Sequence, residues 1–227
     1  MKSKVIMAFV MLAFSVQSLN AYAGLVLSGT RLIFDGNKNE STINVSNPDT
    51  NPYLVQSWVS LNDKKAPNFI VTPPLFRLEG KSSNALRVVL TKNNLPQDHE
   101  SLFWLNVKGI APSNPEAQNT LNISINTQIK LIYRPKGLQE KDASAAYEKL
   151  TFKVDTAKQA LIADNPTAYY INLSELKFNG QAVDNAGFVA PFSQATWPVK
   201  PKASNRVEWS AINDFGGTTS VASQKLN

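Results

Sequence analysis

The chain has no cysteine and a single histidine, His99, which excludes disulfide bonding, thiol nucleophiles and most histidine-rich metal sites. It also lacks a glycine-rich loop of the phosphate-binding kind, so no nucleotide is implied. His99-Glu100-Ser101 holds the three residue types of a hydrolytic triad, but neighbours on a strand point to opposite faces, whereas a triad is assembled in space. With so little catalytic equipment, the sequence reads as that of a binding protein and not an enzyme, without a cofactor or a small-molecule substrate. Apolar runs at helical spacing are scarce. Proline and the strand formers Val, Ile, Thr, Phe and Tyr are plentiful instead.

The first residues speak to compartment. Lys2 and Lys4 precede a mostly apolar stretch over residues 5–16, and Ala21-Tyr22-Ala23 has the small-x-small form of a signal-peptidase site. The apolar stretch is too short for a bilayer, which takes about 20 residues. Residues 1–23 are therefore expected to be a cleaved secretory signal, with Gly24 opening an exported, soluble chain. Losing Lys2 and Lys4 lowers the formal charge from +6 to +4. The remaining cations are scattered and not interleaved with aromatic platforms, which argues against nucleic acid as a partner.

The rest has the length of two ordinary domains and reads as short strands separated by turns. Residues 25–27 and 31–34 form a first strand broken at Ser28-Gly29. Residues 41–46, 53–61, 69–72, 83–90 and 101–108 follow, with Pro73-Pro74 marking an edge or bend. A long strand over residues 121–133 completes about seven, the count of an immunoglobulin-like sandwich. Pro135-Lys136-Gly137 and the polar residues 139–142 then read as a link. A second group spans residues 150–154, 160–164, 169–173, 176–179, 188–191, 196–199, 207–213 and 218–223. Asn47-Pro48 before Tyr53 is echoed faintly by Asn165-Pro166 before Tyr169. The expected division is residues 24–138 and 139–227, two all-β immunoglobulin-like sandwiches.

The long strand is the most informative segment. Its odd positions read Leu121, Ile123, Ile125, Thr127, Ile129, Leu131 and Tyr133, while its even positions carry Asn122, Ser124, Asn126, Gln128 and Lys130. At about 3.3 Å per residue it would run roughly 40 Å, about twice a common strand. Two readings stand. Either every odd residue is core and the strand bends at a bulge, or Leu121, Ile123 and Ile125 are offered to another protein by strand addition.

Five stretches carry a resemblance to a known family. They are residues 28–34 (SGTRLIF), 72–78 (TPPLFRL), 95–104 (LPQDHESLFW), 129–135 (IKLIYRP) and 212–217 (INDFGG). Together and in this order they resemble the periplasmic pilus chaperones of the chaperone–usher pathway. That resemblance implies two immunoglobulin-like domains in a boomerang arrangement with a cleft between them. It implies pilus subunits, incomplete sandwiches lacking a strand, as the bound partners, and an outer-membrane usher as the destination. Leu121, Ile123 and Ile125 map onto the plugs of the donor strand. Arg31 and Lys130 map onto the two cations that hold the terminal carboxylate of the bound pilus protein, and Glu100, Arg134 and Asp214 onto an interdomain ion-pair network.

The short cysteine-free stretch 111–119 resembles the short-loop branch. His99 stands where arginine is usual, and the second domain lacks a cysteine pair that many members have. The weighed alternative is an adhesive or carbohydrate-binding sandwich using Trp58, Trp104, Trp197 and Trp209 as a platform. An unpaired apolar edge also makes self-association of the free protein an expectation.

Overall fold

The computed structural model describes residues 24–112, 121, 123–202 and 204–226. The expected signal, residues 1–23, and most of the expected short loop, residues 113–119, lie outside them.

Among the described residues, ten strands build the first sandwich: β1 Val26–Leu27, β2 Arg31–Asp35, β3 Glu40–Asn47, β4 Tyr53–Leu61, β5 Lys64–Lys65, β6 Phe69–Thr72, β7 Leu75–Leu78, β8 Ser82–Leu90, β9 Ser101–Ile110 and β10 Ser124–Arg134. One sheet has the order β1-β3-β8-β6 and the other β2-β10-β9-β4-β5, with β7 also paired to β4. Two of the chain's crossings between the sheets fall where the sequence breaks its alternation. At Ser28-Gly29 the chain leaves β3 and joins β10 in parallel, and at Pro73-Pro74 it passes from β6 to β7. Residues of period two from both sheets meet in the middle, so Phe34, Val45, Phe69, Leu86, Phe103, Leu105, Leu131 and Tyr133 are all buried. Phe69 packs edge-on against both Phe34 and Phe103.

The second sandwich holds β11 Thr151–Asp155, β12 Ala160–Asn165, β13 Ile171–Phe178, β14 Gln181–Ala182, β15 Phe188–Val189, β16 Ser193–Pro198, β17 Asn205–Ala211 and β18 Ala222–Leu226. Its sheets run β11-β12-β16 and β14-β13-β17-β18, with β15 paired to β13. Leu161, Ile171, Leu176, Phe178, Trp197, Val207 and Trp209 form its core.

Several segments differ from expectation. β13 is one strand where two were expected, because the register against β17 slips between Leu173 and Glu175. Such a bulge inserts one residue and breaks the alternation in the sequence without ending the strand. The last strand lies at residues 222–226, and Thr218 makes only an isolated bridge to Ile212. The link contains a short helix, α1 Glu140–Ala145, and a 3-10 turn, Ala146–Lys149. Tyr147 of that turn is buried, and its carbonyl accepts from Trp209 Nε1 at 2.9 Å.

The largest difference concerns β10. It begins at Ser124, not Leu121, since its partner β9 ends at Ile110, the residue opposite Ser124. Ile129, Leu131 and Tyr133 are core, whereas Leu121, Ile123 and Ile125 are 83%, 65% and 50% exposed. The odd row is thus divided between the protein's own core and the surface.

Candidate functional site

One strand carries most of the candidate residues. Along β10 the ladder to β9 runs from Ser124 to Tyr133, but β2 joins the other side only at Lys130. Between Ser124 and Ile129 that second edge pairs with no described strand. The open edge follows from the broken first strand, because β1 has crossed to the opposite sheet. Gly109, opposite Ile125, is overlain by the Leu25 side chain so closely that a Cβ there would lie 3.0 Å from it. The described chain entering β1 therefore passes over the core side and does not pair with the β10 edge.

The outward face of the same ladder meets the second domain. Here Arg31 pairs with Lys130, Ile33 with Ile132, and Asp35 with Arg134. Lys130 Nζ donates to Oδ1 of Asn172, which is buried on β13, and lies 5.0 Å from the ring centre of Phe188. Arg31 Nη1 donates to the carbonyl of Ile212 at 3.1 Å, while its buried Nε has no partner among the described residues. Burial, and secondarily the charge of Arg31, pull the Lys130 ammonium down to about 8. Burial likewise lowers Arg31, with Asp214 working the other way. Two half-buried cations thus stand side by side, hydrogen-bonded among the described residues only to neutral oxygens. That arrangement suits a carboxylate, which accepts from a guanidinium fork and an ammonium together.

Behind the cations lies the ion-pair network. Arg134 Nε donates to Glu100 Oε1 at 2.8 Å, and its Nη1 and Nη2 reach Asp214 Oδ2 and Oδ1 at 2.7 and 3.0 Å. Glu100 also accepts from the Tyr170 amide at 2.8 Å, and its own amide donates to the Ala168 carbonyl. Glu100 is 2% exposed and Arg134 7%. Burial pushes the Glu100 carboxyl up against the pull of Arg134, with the Asp214 charge adding to the rise. Burial works against the Arg134 charge too, but its bonds to Asp214 and the charge of Glu100 prevail and hold it above its usual value. The asymmetry is physical: one guanidinium serves two carboxylates.

The segment after Ala211 closes the cleft by backbone approach. Gly216 has φ +86°, and a Cβ there would sit 2.7 Å from Thr30 Oγ1 beside Arg31. The structure therefore brings Arg31 with Lys130, and Glu100 with Arg134 and Asp214, across one domain interface. It leaves Leu121, Ile123 and Ile125 on the adjacent overhang. Sequence reasoning missed Asn172, Phe188 and the Ile212 carbonyl. The first two sit in ordinary strand sequence, and a carbonyl has no sequence signal. Of the four tryptophans, Trp197 and Trp209 are core and Trp58 and Trp104 half-buried.

Fold and cleft define a class of protein: a two-sandwich binding protein whose working surface is an open strand edge ending at a pair of cations. Comparison with known proteins agrees and is more specific. Residues 24–139 match the family described as pili and flagellar-assembly chaperone, PapD N-terminal domain, and residues 145–223 match the pili assembly chaperone PapD, C-terminal domain. The chain is 37% identical to the chaperone protein LpfB of Salmonella typhimurium over 92% of both chains. It is 42% identical to the chaperone protein FimC of Escherichia coli K12, over 88% of this chain and 83% of that one. Among solved structures, the E. coli chaperone DraB superimposes with TM-score 0.79 at 36% identity, covering 88% of this chain and 98% of that one. The Salmonella enterica SafB chaperone, solved with the SafA pilin, superimposes with TM-score 0.79 at 35% identity over 90% and 97%. The chain belongs to the PapD-type pilus-assembly chaperone family.

Proposed function

We propose that the protein is exported to the periplasm, binds pilus subunits by lending them β10, and passes them to an outer-membrane usher without doing covalent chemistry. The observation that carries this reading is the open edge of β10 between Ser124 and Ile129, continuous with an exposed apolar row and ending at Arg31 and Lys130. A strand of the pilus protein laid on that edge gains backbone hydrogen bonds, and alternate side chains of the donor fill its groove. Leu121, Ile123 and Ile125 act as plugs, each contributing about 1.5–3 kcal/mol when fully buried. The terminal carboxylate of the bound pilus protein sits between Arg31 and Lys130, which fixes the register of the added strand. Lys130 lies five positions beyond Ile125, roughly 17 Å of strand, so plug and anchor engage together.

Glu100, Arg134 and Asp214 serve the site indirectly by holding the two sandwiches at one angle. The division into residues 24–138 and 139–227, and the signal over residues 1–23, belong to the same proposal. Relatives support it: one solved relative is described as the periplasmic chaperone SfaE, with 31% identity and TM-score 0.73. Co-purification from periplasmic extract of cells producing the cognate pilus proteins tests the reading. A pilus protein is expected to accompany the wild-type chain and to be lost with Ile123→Asp. Wild-type chain emerging alone would contradict the proposal.

A further inference from the structure

The side of β10 that faces away from the plugs carries an unexpected buried group. On the outer face of the sheet, Gln128, Asn106 and Trp58 are opposite one another across β10, β9 and β4, and Lys130, Trp104 and Ser60 form the next row. Asn106 is 2% exposed, although it belongs to neither apolar core. Its Nδ2 donates to Ser60 Oγ at 2.8 Å and to the Trp104 carbonyl at 3.1 Å. Its Oδ1 accepts from Asn126 Nδ2 at 3.1 Å and from Gln128 Nε2 at 3.0 Å. Both donor hydrogens and both acceptor positions of one amide are used, and the bonds tie three strands together.

The position matters because of what β10 lacks there. From Ser124 to Ile129 the strand is bonded to β9 alone, since β2 begins opposite Lys130. Gln128 and Asn126 are the next outward side chains from Lys130 toward the overhang, and both are exposed residues whose amides turn back to Asn106. We propose that Asn106 is a positioning residue for strand donation: it pins the outward side of β10 so that Ile125, and through it Ile123 and Leu121, are presented as a straight, registered row. The pin also acts on Lys130, one step further along the same face. A one-residue slip of β10 would turn every plug to the wrong side, and the fully satisfied amide has no equivalent in a slipped register. This inference rests on the strand-donation reading.

Amide exchange of the free mature chain tests it without any partner. Asn106→Leu removes all four bonds, and the double change Asn126→Ala with Gln128→Ala removes two of them from exposed positions, so folding is preserved. Both are expected to speed exchange of residues 124–129 by about tenfold, while amides of β3, β8 and the second domain keep their wild-type rates. Both should also lower the yield of co-purified pilus protein. Unchanged exchange at residues 124–129 in the double variant, or acceleration spread evenly over both sheets, would overturn the inference. Wild-type chain that binds no pilus protein would instead contradict strand donation itself, leaving the exchange result to speak for the pin.

Discussion

Arg31 and Lys130 are direct partners in the parallel ladder between β2 and β10, so two like charges project side by side from one face of the sheet. Burial, and after it their proximity, lowers Lys130, and neither meets a carboxylate of the described residues in hydrogen-bond contact. A carboxylate from the bound pilus protein, placed between them, would relieve that repulsion. Arg31→Lys should then weaken binding of a peptide copied from the C-terminus of the cognate pilus protein by about tenfold, because a point charge cannot keep the Ile212 bond and offer a second donor in the same plane. Calorimetric titration of wild type and variant with that peptide measures the difference.

The lowered Lys130 gives a pH signature. Its folded-state value of about 8 lies below the ordinary 10.5, so the native chain binds fewer protons than the unfolded one between those values. This group therefore adds stability as pH rises through that window, and its charge costs stability below it. Ligand binding has the opposite sense, since a bound carboxylate favours the ammonium. Affinity for a peptide with a free C-terminus should be level below pH 8 and fall above it, with proton uptake on binding. The same peptide amidated at its C-terminus should bind weakly at every pH.

The plugs should matter for binding and not for stability. Ile123 and Ile125 are largely exposed in the free chain. Ile123→Asp and Ile125→Asp are expected to change unfolding free energy by no more than about 0.5 kcal/mol. Urea unfolding of the variants, set beside the recovery of pilus protein with each, separates the two effects.

The ion-pair network predicts the reverse. Arg134→Ala leaves Glu100 buried without its cation, at a cost of about 3–5 kcal/mol. Small-angle scattering should show a broader distribution of interdomain angles, and thermal unfolding should split into two transitions. Asp214→Ala should cost less, because that carboxylate is partly exposed.

Much of this was legible in the sequence where it rested on period two and on breakers. The odd row of β10, the break at Ser28-Gly29 and the turn at Pro73-Pro74 each correspond to a feature of the fold. The shortfalls have physical reasons. Leu121 and Ile123 continue the alternation, but a strand needs a partner and β9 ends opposite Ser124. The bulge between Leu173 and Glu175 shifted the alternation and made one strand read as two. Helix α1 is six residues long with no buried side chain, so it leaves no apolar period to find. Asn106 lies on an outward position, where a polar residue reads as solvated. Its burial goes with pairings on both sides, which set Gln128 of β10 and Trp58 of β4 opposite it.

The anchor is the most exposed point of the account to test. Lys130→Ala and wild type should be expressed alongside the cognate pilus proteins and the amount of pilus protein recovered with each compared. Loss of one buried cation at about 2–5 kcal/mol predicts that the pilus protein accompanies wild type and is nearly absent from the variant, with both chains equally folded. Equal recovery with the two proteins would contradict the placement of the bound carboxylate between Arg31 and Lys130.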